Sequence, residues 1–121
     1  MNNREKGRIA ENLAEAYYRF RGYRVVARNF HSHYGEIDLI LEKGRELRIV
    51  EVKSSWYRIR DRNELGNRVT RRKIRHLAFA LEKFLSINGS NFENRSFIFE
   101  VLFVLVGREH IEFLPFSAPA I

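Results

Sequence analysis

Hydrophobic positions change period several times along the chain, and each change marks an element. From Arg8 to Arg21, residues Ile9, Leu13, Ala16, Tyr17 and Phe20 recur at helical spacing, and Gly22 follows as a stop. Tyr23 to Phe30, centred on Val25, Val26 and Ala27, has the composition of a strand. Glu36 to Lys43 and Glu46 to Lys53 read as two strands joined at Gly44-Arg45, where a leading glycine fits a type II′ hairpin turn. Ser54 to Val69 has no regular apolar period and reads as a long irregular loop. Thr70 caps a second helix running to Ile87, with Ile74, Leu77, Ala78, Leu81, Phe84 and Leu85 on its buried side. Arg95 to Val106 suits a strand buried on both faces. Gly107-Arg108 repeats the hairpin signal before a last strand, Glu109 to Leu114. Residues 1–6 and 115–121 read as tails. The order helix, three strands, helix, two strands predicts one α/β domain spanning 1–121, a mixed five-stranded sheet flanked by helices.

The two-residue turn fixes a register in which Lys43 faces Glu46, Ile40 faces Ile49, Asp38 faces Glu51 and Glu36 faces Lys53. Opposed side chains on one sheet face lie roughly 4.5–5.5 Å apart at Cβ. Asp38, Glu51 and Lys53 are thus expected on one face, with Ile37, Leu39, Val50 and Val52 on the other. Two facing carboxylates inside apolar runs are a local conflict of the kind that marks functional sites. A divalent cation between Asp38 and Glu51 would remove the repulsion, and oxygen ligands suit Mg²⁺ or Mn²⁺. Lys53 would reach the same cluster. The competing reading is an ordinary salt-bridged patch on a half-exposed hairpin. By rotation of about 100° per residue, Glu11 lies about 160° from the first helix's apolar stripe and should face solvent. Beside it, Gly7, Ala10 and Ala14 make a small-residue edge that a sheet could approach.

The 121 residues carry 22 Lys and Arg against 15 Asp and Glu, a net charge of +7 that favours polyanions, nucleic acid first. The unpatterned stretch after Lys53 adds to this: Arg58, Arg60, Arg62 and Arg68 are interleaved with Trp56 and Tyr57. Arginines for phosphates and aromatics for unstacked bases make a nucleic-acid clamp. Arg71, Arg72 and Lys73 crowd the first turn of the second helix, where the dipole disfavours cations and a phosphate would satisfy them. The chain has no cysteine, so disulfides and thiolate metal sites are excluded, which suits a reducing cytoplasm. Its N-terminus is too polar for a signal peptide, and its longest apolar run, Val101 to Val106, is far short of a membrane span. Glu100, inside Phe-Glu-Val, is the other odd charge in an apolar run.

Asp38, followed after twelve residues by Glu51-Val52-Lys53, matches the Asp…Glu-x-Lys core of the PD-(D/E)-x-K nuclease superfamily. Arg28-Asn29-Phe30, Gly35-Glu-Ile-Asp-Leu-Ile40 and Val50-Glu-Val-Lys53, after a helix with Ala10-Glu11 and Ala14, resemble the YraN-like family of small bacterial proteins. That family is related to the archaeal Holliday junction resolvases, and the resemblance covers roughly residues 7–106. It implies a restriction-endonuclease-like three-layer core and metal-dependent cleavage of DNA. On the resemblance, Asp38 and Glu51 become ligands of Mg²⁺ or Mn²⁺, Lys53 a catalytic lysine and Glu11 an accessory acid. Lys73 falls where the resemblance places a lysine after the Glu-Val-Lys strand. The implied partner is DNA, branched or single-stranded, with a homodimer where two strands are cut; no membrane and no small-molecule cofactor are expected. The alternative is a nuclease-shaped module that binds nucleic acid without cutting it.

Overall fold

The computed structural model describes residues 1–57, 62–92 and 94–119. Helix α1 (Asn3–Phe20) precedes three strands, β1 (Arg24–Ser32), β2 (Gly35–Lys43) and β3 (Glu46–Trp56). A short helix α2 (Arg62–Asn67), the long helix α3 (Arg71–Asn88) and a 3-10 turn (Gly89–Phe92) follow, then β4 (Ser96–Val106) and β5 (Ile111–Pro119). The strands form one sheet in the order β1-β2-β3-β4-β5. Only the β3–β4 contact is parallel, as the crossover through α3 requires. The predicted α/β class holds, and the sheet with helices on its two faces is consistent with a restriction-endonuclease-like core.

Two apolar layers hold the helices on. On one face Ile37, Ile40, Leu47, Ile49 and Phe99 pack against Ile74, Leu77, Leu81 and Phe84 of α3. On the other, Leu39, Leu41, Val50, Leu102 and Val104 receive Ala10, Ala14 and Tyr18 of α1. The seat of α1 is therefore not the predicted stripe. Phe20 is 92% exposed, whereas Ala10 and Ala14 are fully covered. Methyl-sized side chains let the helix backbone lie close to the sheet, and that geometry outranks the bulk of Ile9 or Phe20. The rotation brings Glu11 from the expected solvent face to the flank of the interface.

Several predicted bounds move. Residues 3–6 form the first turn of α1, capped by the Asn2 side chain accepting from the Glu5 N–H, and are not a tail. Residues 115–119 continue β5, because Pro115 to Pro119 pair with Leu102 to Ile98 of β4. The β4–β5 link is a four-residue loop closed by the Gly107 N–H on the His110 carbonyl, 2.9 Å, in place of a two-residue turn. The stretch expected as one long loop holds the end of β3, whose Ser54, Ser55 and Trp56 pair with Val104 to Val106. It also holds α2, anchored by fully buried Leu65 against Val101 and Phe103.

Candidate functional site

The Gly44-Arg45 turn, with Gly44 at φ +58°, sets the predicted register from Lys43–Glu46 through Ile40–Ile49 to Leu39–Val50. There the β2–β3 ladder stops, so Asp38–Glu51 and Glu36–Lys53 are not ladder pairs as expected. A second departure from regular strand geometry lies one strand over. Arg28 pairs with Leu39 and Phe30 with Ile37, so Asn29 stands across from Asp38, and its φ of +51° is left-handed. Such a conformation in a non-glycine residue costs of order 1–3 kcal/mol and collects at functional sites. In this stretch Ile37 changes sides: it packs under α3 with Ile40, not with Leu39 and Val50 as alternation predicted. Asp38 turns into the opening, and its Oδ2 accepts the Val52 N–H at 2.7 Å in place of a β2 carbonyl.

Three elements deliver acids to this opening. Burial, then the charges of Glu11, Glu51 and Glu36, push the Asp38 carboxyl up to about 6, against the lowering pull of the Val52 N–H. Glu11 comes from α1, and its Oε1 is buried without a hydrogen-bond partner. Glu51 comes from β3 and lies between two lysines, Lys53 Nζ at 3.3 Å and Lys73 Nζ at 3.2 Å. The structure thus brings Asp38, Glu51, Lys53 and Glu11 to one region. Among the described residues, no three His, Cys, Asp or Glu groups approach closely enough to enclose an ion. The arrangement offers two carboxylates, Asp38 and Glu51, to a cation that would complete its shell with water or phosphate oxygens, as Mg²⁺ commonly does.

The basic residues divide. Lys73, expected to hold a phosphate at the start of α3, turns instead to Glu51, and its N–H is capped by Thr70 Oγ1 at 3.2 Å. Arg71 and Arg72 are exposed on the same turn. Arg68 is half-exposed and paired with Glu64 at 3.0 Å. Trp56, expected in a loop, is a half-buried strand residue whose Nε1 donates to Ser54 Oγ. Tyr57 is 61% exposed in a left-handed conformation, φ +59°, with its N–H on the Val106 carbonyl at 2.8 Å. Arg58 and Arg60, and the side chain of Arg62, lie outside the described residues. No helix among the described residues is long and apolar enough to cross a membrane.

The model of the uncharacterised protein family UPF0102 matches residues 10–104, which takes in every one of these acids and lysines. The chain belongs to the UPF0102 family. It is 39% identical over 107 residues to a UPF0102 protein of Syntrophomonas wolfei, covering 86% of this chain and 87% of that one. It is 32% identical over 117 residues to a UPF0102 protein of Vibrio cholerae serotype O1, covering 94% and 92%. With a UPF0102 protein of Thermotoga neapolitana it shares 35% over 82 residues, 68% and 73% of the two chains.

Sequence reasoning flagged Glu100 of this UPF0102 chain as misplaced but could not assign it. Glu100 is 2% exposed on β4, accepts the Tyr18 hydroxyl at Oε2 and accepts Arg48 Nη1 at 2.7 Å. Arg48 Nε continues to Glu46 at 2.8 Å, and the Tyr23 hydroxyl donates to Glu46 at 2.5 Å. Burial, then Glu100, pushes the Tyr18 phenol up, and burial pushes Tyr23 up to about 12. This network lies under α1, toward the hairpin end of the sheet, and is satisfied by protein groups alone. The left-handed backbone of Asn29, φ +51°, was not visible in the sequence pattern.

Proposed function

We propose that this protein is a metal-dependent phosphodiester hydrolase acting on DNA. The observation that carries the reading is the Glu11 Oε1 atom, buried with no hydrogen-bond partner beside an Asp38 whose carboxyl is pushed up to about 6. Buried carboxylate oxygens are costly unless something pairs with them. Asp38 and Glu51 would hold Mg²⁺ or Mn²⁺, which when bound supplies Lewis-acid stabilisation of phosphate charge and lowers the pKa of a coordinated water. Lys53 then orients the attacking water or neutralises charge gathering on the phosphate. Lys73 fixes the Glu51 carboxylate from the helix side, and Glu11 serves as an accessory acid beside Asp38. The net charge of +7 favours a polyanionic substrate.

A panel of branched, flapped, single-stranded and linear DNAs, incubated with Mg²⁺ and with Mn²⁺, tests the proposal. Cleavage by the wild type and none by Glu51→Gln is the expected outcome; equal cleavage by both would place the chemistry elsewhere. A second reading, a nuclease-shaped module that binds without cutting, is favoured by one feature: Glu51 already has two lysine partners. Calorimetry separates them. Wild type should bind Mn²⁺ in the presence of DNA and Asp38→Ala should not.

A further inference from the structure

Beside the acid cluster, the β1–β2 turn holds up an aromatic ring. Ser32 Oγ donates to the Gly35 carbonyl at 2.9 Å and accepts the Tyr34 N–H at 3.2 Å, and Gly35 takes a φ of +129° that a side chain would resist. The turn so fixed sets Tyr34 next to two other rings. Its centroid is 4.1 Å from that of His33, at 37°, and 5.4 Å from that of Phe79 on α3, at 42°. Tyr34 remains 45% exposed and Phe79 39%. Folding alone does not call for this row at the surface, since buried rings such as Phe84 already fill the core beneath.

The row borders the site. Tyr34, Glu36, Glu51, Lys73 and His76 line one hollow of about 150 Å³. Lys73 also lines a second hollow of about 270 Å³, together with Lys53, Ser54 and Arg68. A strand crossing both would lay a ring against Tyr34 and its phosphates against Lys53 and Arg68. A hollow of the first size takes one planar base, not the width of a duplex.

From this we infer that Tyr34, backed by Phe79 and His33, is a stacking platform for an unpaired nucleobase next to a phosphate at Lys53. This rests on the reading of the Glu51 end as a nucleic-acid site, and it names the substrate class as strands with an unpaired base. Stacking suits the platform because every base presents a π-face, whereas bases in a duplex have theirs covered.

The test is a fluorescence titration of the full chain in EDTA, so that no strand is cut. Three probes carry 2-aminopurine, which is quenched on stacking: a DNA single strand, an RNA single strand, and the DNA strand in its duplex. Wild type should quench the single strands and leave the duplex unquenched; whichever sugar binds more tightly identifies the source of the base. Tyr34→Ala should lose the quenching and weaken single-strand binding by roughly 5- to 100-fold. Tyr34→Leu, which keeps apolar bulk against Phe79 without a ring, should behave like Tyr34→Ala, and Tyr34→Phe should stay within about three-fold of wild type. Unchanged quenching and affinity in Tyr34→Ala and Tyr34→Leu would overturn the platform, as would failure of wild type to bind any strand. Stacking by a wild type that cuts none of the DNA panel would leave the platform standing while the hydrolase reading fell.

Discussion

Lys73 of α3 meets Glu51 of β3 at 3.2 Å, tying the crossover helix to the strand it follows. Lys53 meets the same carboxylate at 3.3 Å. Replacing Glu51 by Gln removes a negative charge from beside two lysines. The prediction is therefore a split: cleavage lost by at least about 100-fold, as for an essential metal-site group, with DNA affinity equal or higher. Cleavage gels and binding isotherms on one preparation check it. A parallel fall in affinity and cleavage would mean that the glutamate only holds the lysines in place.

The first turn of α3 should be read by salt. Neutralising Arg71 and Arg72 to Gln is expected to flatten the dependence of log K on log salt by about 0.9 per lost duplex phosphate contact, or about 0.7 on a single strand. Lys73→Gln should act differently, because its ammonium already has Glu51, and should depress cleavage more than it changes the slope. An unchanged slope in the double arginine variant would mean that this turn does not touch phosphates.

What the sequence made legible was local. The Gly44-Arg45 turn announced its register as far as Leu39–Val50, and the apolar periods announced α3 and its Thr70 cap. Beyond Val50 the expected register ends and Asp38 turns to the Val52 N–H instead, which no hydropathy pattern announces. The seat of α1 was misjudged because ranking by bulk favours Ile9 and Phe20 over Ala10 and Ala14. Leu65 was lost among charged neighbours, although it is fully buried. Glu100 was visibly in conflict with its apolar run, but its partners lie 82 and 52 positions away and only the folded sheet unites them.

Glu100 is expected to matter for stability rather than chemistry. Glu100→Ala would leave the Arg48 guanidinium and the Tyr18 hydroxyl without their shared acceptor, a loss of about 3–5 kcal/mol by the usual cost of breaking a buried ion pair. Glu100→Gln keeps one carbonyl oxygen for Arg48 and should lose less than half as much. Urea denaturation of the three proteins measures this, and activity per folded molecule should not differ among them. A large activity loss in a fully folded Glu100→Gln would move this residue into the site.

Asp38 gives the sharpest test, because its folded carboxyl titrates at about 6 against an ordinary value of 3.8. Between those values the folded protein holds the proton more tightly than the unfolded chain does. The raised group therefore supports stability most at low pH, and that support is lost as pH rises through about 6. The full difference is up to about 3 kcal/mol. In EDTA, Asp38→Asn, whose amide oxygen can still accept the Val52 N–H, should melt close to wild type near pH 4 and increasingly above it from pH 5 to 7. Adding Mn²⁺ at pH 7.5 should raise the wild-type melting temperature and leave that of Asp38→Asn unmoved, since the ion takes up the charge that burial and Glu11 oppose. If Asp38→Asn instead melts below wild type at pH 7.5 without metal, the carboxylate is a structural acceptor for the Val52 N–H, and the cation site must be sought elsewhere.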